Sequence, residues 1–102
     1  MPQFDIYANP NVAQREIFPY VVQIQHDFFD ALPTRLVVPL QRARNPVGAF
    51  PTETVRVGGE ALFIAAHLTA ALPARLLRHP VANAHEQHAL LRDALDAVVS
   101  GV

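Results

Sequence analysis

The chain has 102 residues, 51% of them hydrophobic, and a formal net charge of −1 at pH 7. These values predict one folded domain over residues 1–102 and argue against a nucleic-acid binder that depends on bulk positive charge. The sequence contains no cysteine, which excludes disulfides, a thiolate nucleophile and cysteine-ligated zinc. Its start lacks the pattern of a signal peptide and no apolar run reaches about 18 residues, so we expect a cytoplasmic protein that does not contact a membrane.

Three strands are predicted in the first half of the chain, because apolar and polar residues alternate there. They cover QFDIY at 3–7, IFPYVVQIQ at 17–25 and TRLVVPLQ at 34–41. The alternation assigns two apolar sets to one face of their strands: Phe18, Tyr20, Val22 and Ile24, then Leu36, Val38 and Leu40. Pro39 cannot donate to a strand ladder, which predicts an edge or a bulge at that point. RARNPVGAFP at 42–51 is predicted to be a loop.

A hairpin, a turn and a further short strand are predicted next. In TVRVGGEALFIA, at 54–65, two β-prone runs flank Gly58-Gly59, which predicts a tight hairpin with positive φ angles. The composition of the next stretch suits a helix, but Pro73 would break it. We therefore predict a turn through Thr69–Leu72 and a short strand over Ala74–Leu77.

The chain ends in a predicted helix. Asn83 and Glu86 have the spacing of a capping box at its start. Spacing of i, i+3, i+4 and i+7 predicts one buried stripe, formed by Leu91, Ala94, Leu95 and Val98. Strands joined by tight turns and closed by one C-terminal helix predict the α+β class, mainly β, as a small barrel plus a helix.

Patterns of catalytic or metal-binding chemistry are weak in this sequence. His85 and His88 resemble a zinc signature shortened by one residue, but no third ligand is evident. His26 lies beside Asp27, yet the single serine, Ser100, is three residues from the end of the chain, which argues against a Ser-His-Asp triad. We expect no catalytic residue, no metal and no cofactor.

Two adjacent aromatic residues, Phe28 and Phe29, lie in the short connection between the second and third strands. We expect one of them to pack beneath the sheet and the other to face a partner, because exposed aromatic side chains are common interface anchors.

With these elements placed, the chain resembles the CcdB family of plasmid and chromosomal toxins over nearly its whole length. The resemblance is carried by QFDIY at the start, VVQIQHDFFDALPTRLVVPL in the middle, LPARLL after the hairpin and ALDAVVSGV at the end. The middle segment follows the family's ordered pattern through Ile24, Gln25, Asp27, Phe28, Phe29, Asp30, Arg35, Val38, Pro39 and Leu40.

The resemblance implies a small SH3-like barrel of antiparallel strands with a C-terminal α-helix, which forms a homodimer. Family members bind the A subunit of DNA gyrase. The dimer wedges between two A subunits and traps the cleaved DNA intermediate without catalysing a reaction. A CcdA-like antitoxin neutralises the toxin, and operator DNA is bound only through the antitoxin complex, which represses its own operon.

The resemblance also implies which residues contact gyrase. The family's contacts lie at the helix tip, and the two aromatics form a second candidate contact. The candidate gyrase-binding residues are Phe28, Phe29, Asp96, Val99, Ser100, Gly101 and Val102. Gly101-Val102 is similar to the Gly-Ile ending of the family, whereas Ser100 stands where the best-known family pattern has Trp.

Two other functions stay open from the sequence. A MazF-type RNA endonuclease toxin shares the barrel architecture, and it would need a base and cationic groups in one cleft. Its candidate residues are Arg35, Arg56 and His26. A degenerate family member would only dimerise and bind the antitoxin.

Overall fold

The computed structural model describes residues 3–42 and 54–100. Seven antiparallel strands and one α-helix lie in this part of the chain. The strands are Asp5–Ala8 (β1), Tyr20–Gln23 (β2), Thr34–Arg42 (β3), Thr54–Val57 (β4), Glu60–Ile64 (β5), Ala70–Pro73 (β6) and Ala82–Asn83 (β7), and the helix is His88–Ser100 (α1). The loop predicted at 42–51 lies outside the described residues, apart from Arg42, which ends β3.

The strands form one sheet in the order β4-β5-β3-β2-β1-β7, with β6 also paired to β3. The sheet curls into a nearly closed antiparallel barrel, and the C-terminal helix packs on it. The predicted α+β class, mainly β with a small barrel and a terminal helix, is confirmed.

Strand β3 changes its partner along its length, and this change accommodates Pro39. Its first residues, from Thr34 to Val37, pair with β6, whereas Leu40 to Arg42 pair with β5. Pro39 lies between these two pairings, and its carbonyl accepts a hydrogen bond from the Ala65 amide at 3.0 Å. Neither β5 nor β6 pairs with Pro39. The backbone N–H that proline lacks is therefore not needed for a ladder hydrogen bond with these strands.

Side chains from both faces of the central strands are buried, in two clusters. The larger cluster lies between the sheet and α1 and contains Phe4, Ile6, Val22, Val38, Leu40, Val55, Val57, Leu62, Ala84 and Leu91. The smaller one lies on the other face and contains Tyr7, Val21, Val37 and Leu77. Leu36 follows the same alternation as Val38 and Leu40, but it is not buried with them. Leu36 is 39% exposed, because its β6 neighbour Ala71 is itself exposed and no further layer covers the pair.

The β4–β5 hairpin is the turn that the sequence predicts. Gly58 and Gly59 have φ angles of 58° and 84°. Both values lie in the region that favours glycine, as a two-residue turn with two positive φ angles requires.

The region after β5 differs from the prediction. Strand β6 occupies Ala70–Pro73, where a turn was predicted, and the predicted strand Ala74–Leu77 is instead a single 3-10 turn over Ala74–Leu76. The start of β3 offers a free edge, and β6 pairs with it in register from Val37 to Thr34. This distant pairing outweighs the weak alternation of an alanine-rich segment.

The helix begins later than predicted. Asn83 ends β7, and its side-chain oxygen accepts the His85 amide at 2.7 Å. This contact is an Asx-type turn that precedes a 3-10 turn at His85–Gln87. The N-cap residue of that turn is Ala84, which makes no side-chain cap hydrogen bond, so the predicted capping box is not formed, and α1 follows from His88. In the described residues, no helix is long and apolar enough to cross a membrane.

Polar side chains are buried at one end of the barrel. Asp5, Tyr7 and Arg35 are each less than 10% exposed, and the Asn83 amide donates to Asp5 Oδ1 at 2.8 Å. Burial raises the pKa of the Tyr7 phenol, and the charge of Asp5 and its hydrogen bond to the phenol raise that pKa further. The positive charge of Arg35 acts in the opposite direction.

The raised pKa of Tyr7 predicts a loss of stability in alkali. The unfolded phenol ionises near its ordinary pKa of about 10, whereas the folded one keeps its proton to higher pH. The free energy of unfolding is therefore unaffected by this group below about pH 10 and falls as the pH rises above that value. We expect Tyr7→Phe to make this fall shallower in urea titrations at successive pH values. A slope in Tyr7→Phe equal to that of the wild-type chain would contradict the assignment.

Candidate functional site

The connection between β2 and β3, residues 26–33, is here named the aromatic turn. Its centre is a 3-10 turn over Asp27–Phe29. His26 caps this turn, since its Nδ1 atom accepts the Phe28 amide at 3.0 Å and its carbonyl accepts the Phe29 amide at 2.9 Å. This 3-10 turn contains no buried residue, so its side chains project away from the barrel.

Both aromatic side chains of this turn are on the surface. Phe28 is 80% exposed and Phe29 is 48% exposed. Their ring centroids lie 5.1 Å apart at an interplanar angle of 85°, an edge-to-face contact. The expectation that one of them packs beneath the sheet is therefore wrong, and the pair forms one exposed aromatic surface.

Phe4 occupies the core position that was expected for one of the pair. It is 4% exposed, lies in the larger core and donates its amide to the Gln23 carbonyl at 2.7 Å. Its φ angle of 71° is unusual for a residue other than glycine. The neighbouring Gln3 amide donates to Asp27 Oδ1 at 2.8 Å. The N-terminal segment thus lies against the aromatic turn and fills the core beside it.

The apolar surface continues beyond the two rings. Leu32 is 49% exposed and Leu36 is 39% exposed. The Leu32 amide donates to the Phe29 carbonyl at 3.0 Å, so the two residues are neighbours in one tight turn. Clustered apolar side chains on a small domain commonly mark a protein-binding surface. The sequence analysis did not identify either leucine as a site residue, and the alternation of β3 indicated a buried Leu36.

The end of α1 carries the second set of predicted site residues. Leu91 is fully buried and Leu95 packs against the same core, whereas Val98 is 51% exposed. The predicted buried stripe is therefore wrong at Val98, because the last turn of the helix extends past the core. Val99 is 86% exposed, as expected of a residue on the outer face, and Asp96 is also exposed.

The remaining tail residues have a limited description. Ser100 is the last residue of α1. Gly101 and Val102 lie outside the described residues. The candidate site residues that the structure describes thus belong to two separate elements, the aromatic turn and the end of α1.

The candidates for ribonuclease chemistry are engaged in holding main-chain groups. Arg35 is buried and donates to three carbonyl oxygens of the aromatic turn and its exit. His26 accepts the Phe28 amide. Arg56 lies in the β4–β5 hairpin and donates to the Gly59 carbonyl at 3.4 Å. These contacts assign structural roles to the three side chains.

The two histidines that resemble a zinc signature stack on each other. The ring centroids of His85 and His88 lie 5.3 Å apart, and both rings contact Phe4. Within residues 3–42 and 54–100, no group of three or more potential ligand side chains is placed to hold a metal ion.

A groove of about 480 Å³ lies on the opposite face of the sheet from α1. Its lining is mostly apolar and consists of Asn9, Pro10, Asn11, Gln14, Phe18, Val21, Val37, Pro39, Leu68, Ala70, Leu72 and Leu76. The lining contains no residue of the aromatic turn or of α1, so this groove is a separate surface. The sequence analysis did not predict it, because its walls come from distant segments.

The described chain is a small antiparallel barrel with one terminal helix, and it exposes apolar side chains on a turn and at the helix end. The family model described as CcdB protein matches residues 3–101. The chain belongs to the CcdB family. At the level of the family, it is a toxin of a toxin–antitoxin system, of the kind that poisons DNA gyrase. A search of curated proteins found no match to the chain.

Because Phe4 is buried and Phe28 is exposed, alanine substitutions at the two positions should change the free energy of unfolding by very different amounts. Phe4→Ala removes a buried ring and should lower the free energy of unfolding by about 3–5 kcal/mol. Phe28→Ala removes a ring that is 80% exposed and should change it by less than about 1 kcal/mol. Urea unfolding followed by circular dichroism measures both. A loss in Phe28→Ala as large as that in Phe4→Ala would contradict this placement.

Proposed function

We propose that this protein binds the A subunit of DNA gyrase and traps the gyrase–DNA cleavage complex, acting by occupancy and not as an enzyme. Its membership of the CcdB family supports this function. The observation that carries the proposal is the exposure of the aromatic pair, since Phe28 is 80% exposed and Phe29 is 48% exposed, whereas Phe4 is 4% exposed.

The aromatic pair suits an interface that must form tightly over a small area. Aromatic side chains contribute large apolar area with few rotatable bonds, so they lose little entropy when they are bound. The edge-to-face contact of Phe28 with Phe29 holds each ring against the other before a partner arrives. Leu32 and Leu36 extend the same apolar surface.

The end of α1 is the second part of the proposed gyrase contact. Val99 is 86% exposed and Asp96 lies one turn before the end of the helix. A carboxylate near the C-terminal end of a helix opposes the helix dipole, a local cost of about 0.3–1 kcal/mol. Ser100, Gly101 and Val102 complete the proposed tip.

The further partners follow from the family as proposals. We propose a homodimer that is neutralised by a CcdA-like antitoxin in the cytoplasm. Operator DNA is then bound only by the toxin–antitoxin complex, which represses its own operon. The formal charge of −1 supports this last point, because a chain without excess positive charge is poorly suited to bind DNA alone.

One observation favours a second candidate function. Ser100 stands where the best-known family pattern has Trp, and tryptophan is a frequent source of binding energy at interfaces. A member that has lost this contact would dimerise and bind antitoxin without poisoning gyrase. The gyrase assay below separates the two functions.

Deleting Ser100, Gly101 and Val102 should leave the fold intact and abolish gyrase trapping. The deletion spares the buried contacts of Leu91 and Leu95, so the loss of stability should be about 1 kcal/mol. Linearised plasmid recovered after incubation with gyrase, toxin and ATP should fall roughly tenfold or more, since the proposed wedge loses its tip.

Matched variants make this test specific. Val99→Ala and Asp96→Ala should act in the same direction but more weakly, whereas Ser100→Trp should strengthen trapping. Val81→Ala, at a valine that is 55% exposed in the bend just before β7, should have no effect. A truncated chain that melts normally and still linearises plasmid would overturn the role of the tip. A full-length chain that never linearises plasmid would favour the antitoxin-binding function alone.

We expect the protein to be a dimer at micromolar concentration. The exposed apolar side chains of the aromatic turn and the helix end are unusually many for an isolated domain of this size. Light scattering should give twice the chain mass of 11.2 kDa. A clean monomer mass would count against both the dimer and the wedge mechanism.

A further inference from the structure

The aromatic turn has little packing of its own to hold its shape. Seven of its eight residues, 26–33, are exposed, and Asp30 is half-buried. A surface segment without buried side chains samples many conformations unless its backbone is held by other contacts. The main-chain bonds inside the turn are short-range ones, such as Asp30 to the Asp27 carbonyl at 3.0 Å. A surface that must present two rings in one arrangement needs a stronger constraint.

Arg35 supplies that constraint from inside the barrel. It is 6% exposed, although arginine is rarely buried. Its Nη2 atom donates to the Asp30 carbonyl at 2.6 Å, and its Nη1 atom donates to the carbonyls of Leu32 at 2.5 Å and Thr34 at 2.9 Å. Its Nε atom lies 3.9 Å from Asp30 Oδ1. One guanidinium therefore joins three carbonyls that alternate along five residues of the turn and its exit.

A second side chain, Gln25, assists from the segment that follows β2. Gln25 Nε2 donates to the carbonyls of Phe29 at 3.1 Å and Thr34 at 3.2 Å, and Gln25 Oε1 accepts the Leu36 amide at 3.1 Å. The Thr34 carbonyl thus accepts from both Gln25 and Arg35. These contacts close the turn against the start of β3.

The guanidinium group is chemically suited to this task, and an ammonium group is not. Arginine has five donors in a planar fork, so it can reach several fixed carbonyls at once. Lysine keeps the charge but has a single nitrogen at the end of a flexible chain. Arg35→Lys therefore tests the fork and not the charge.

We propose that Arg35 is a positioning residue, which holds the aromatic turn in one conformation so that Phe28 and Phe29 meet a protein partner already arranged. In this inference, the identity of the partner rests on the proposed function. The held conformation of the aromatic turn rests only on the hydrogen bonds. A surface that is ordered before binding avoids the entropy cost of becoming ordered in the complex.

The first measurement is amide hydrogen exchange on the full chain. The amides of Phe29, Asp30 and Leu32 donate within the turn. In Arg35→Lys they should exchange about tenfold faster or more, whereas the amides of Val22 and Val38 in the β2–β3 ladder should keep their wild-type exchange rates. A purely stabilising role would instead accelerate exchange throughout the sheet. Unchanged exchange of the turn amides would overturn the proposal.

The control is Arg42→Lys. Arg42 lies at the other end of β3 and also donates to a carbonyl, that of Glu16 at 3.3 Å, and to Glu60 Oε2 at 3.0 Å. Arg42→Lys should leave the exchange rates of the turn amides unchanged. If Arg35→Lys does not fold, the wild-type protein still decides the matter: turn amides that exchange as fast as an unfolded peptide would overturn the proposal, and slow exchange supports it.

The second measurement is binding to purified gyrase A subunit. Arg35→Lys should weaken binding about tenfold, through slower association, with a smaller change in melting temperature than Phe4→Ala. Phe28→Ala should weaken binding without accelerating exchange. If Phe28→Ala weakens binding and Arg35→Lys does not, the positioning role is wrong. If the wild-type chain does not bind gyrase A, the proposed function is wrong, and the exchange experiment alone decides what Arg35 does.

Discussion

Strand β3 pairs with three other strands, and the positions of the remaining elements depend on that pairing. One edge of β3 pairs with β2 from Val37 to Leu40, while the other edge is divided between β6 and β5. Pro39 lies where the second edge changes partner, so the residue that would interrupt an ordinary ladder is placed at the one point where a ladder bond is not needed. The aromatic turn enters β3 at one end, and the helix packs against the segment that joins β5 to β6.

The burial of Phe4 and the exposure of Phe28 and Phe29 are two results of one arrangement. Phe4 fills the core beside the end of β2, at the cost of a positive φ angle of 71°. That position is then not available to the aromatic turn, whose rings stay outside and contact each other. The strained backbone at Phe4 persists because a buried ring contributes more than the strain costs, on the order of 3–5 kcal/mol against 1–3 kcal/mol.

Much of this molecule could be predicted from local patterns. The Gly58-Gly59 hairpin was predicted correctly, since two successive glycines between β-prone runs permit the positive φ angles that a tight turn requires. Strand β6 could not be predicted, because the alanine-rich segment has weak alternation and pairs only once the edge of β3 is present. Leu36 and Val98 have the spacing of buried residues, yet both are exposed, since period alone cannot indicate where the covering layer ends. Nothing in the sequence indicated that Arg35 is buried, because its hydrogen-bond partners are main-chain carbonyl oxygens, which any residue could supply.

The sequence by itself determined the class of the fold, the place of the hairpin, the presence of a terminal helix and the family to which the chain belongs. The first three depend on residue type and local spacing. The family assignment depends on a match over positions 3–101. Only the tertiary structure decided which aromatic residue enters the core, where the buried stripe of α1 stops and how the aromatic turn is held. These outcomes depend on competition between distant segments for the same volume and the same hydrogen-bond partners. Such competition is resolved only when the strands are assembled, because burial and pairing are properties of the whole packed chain.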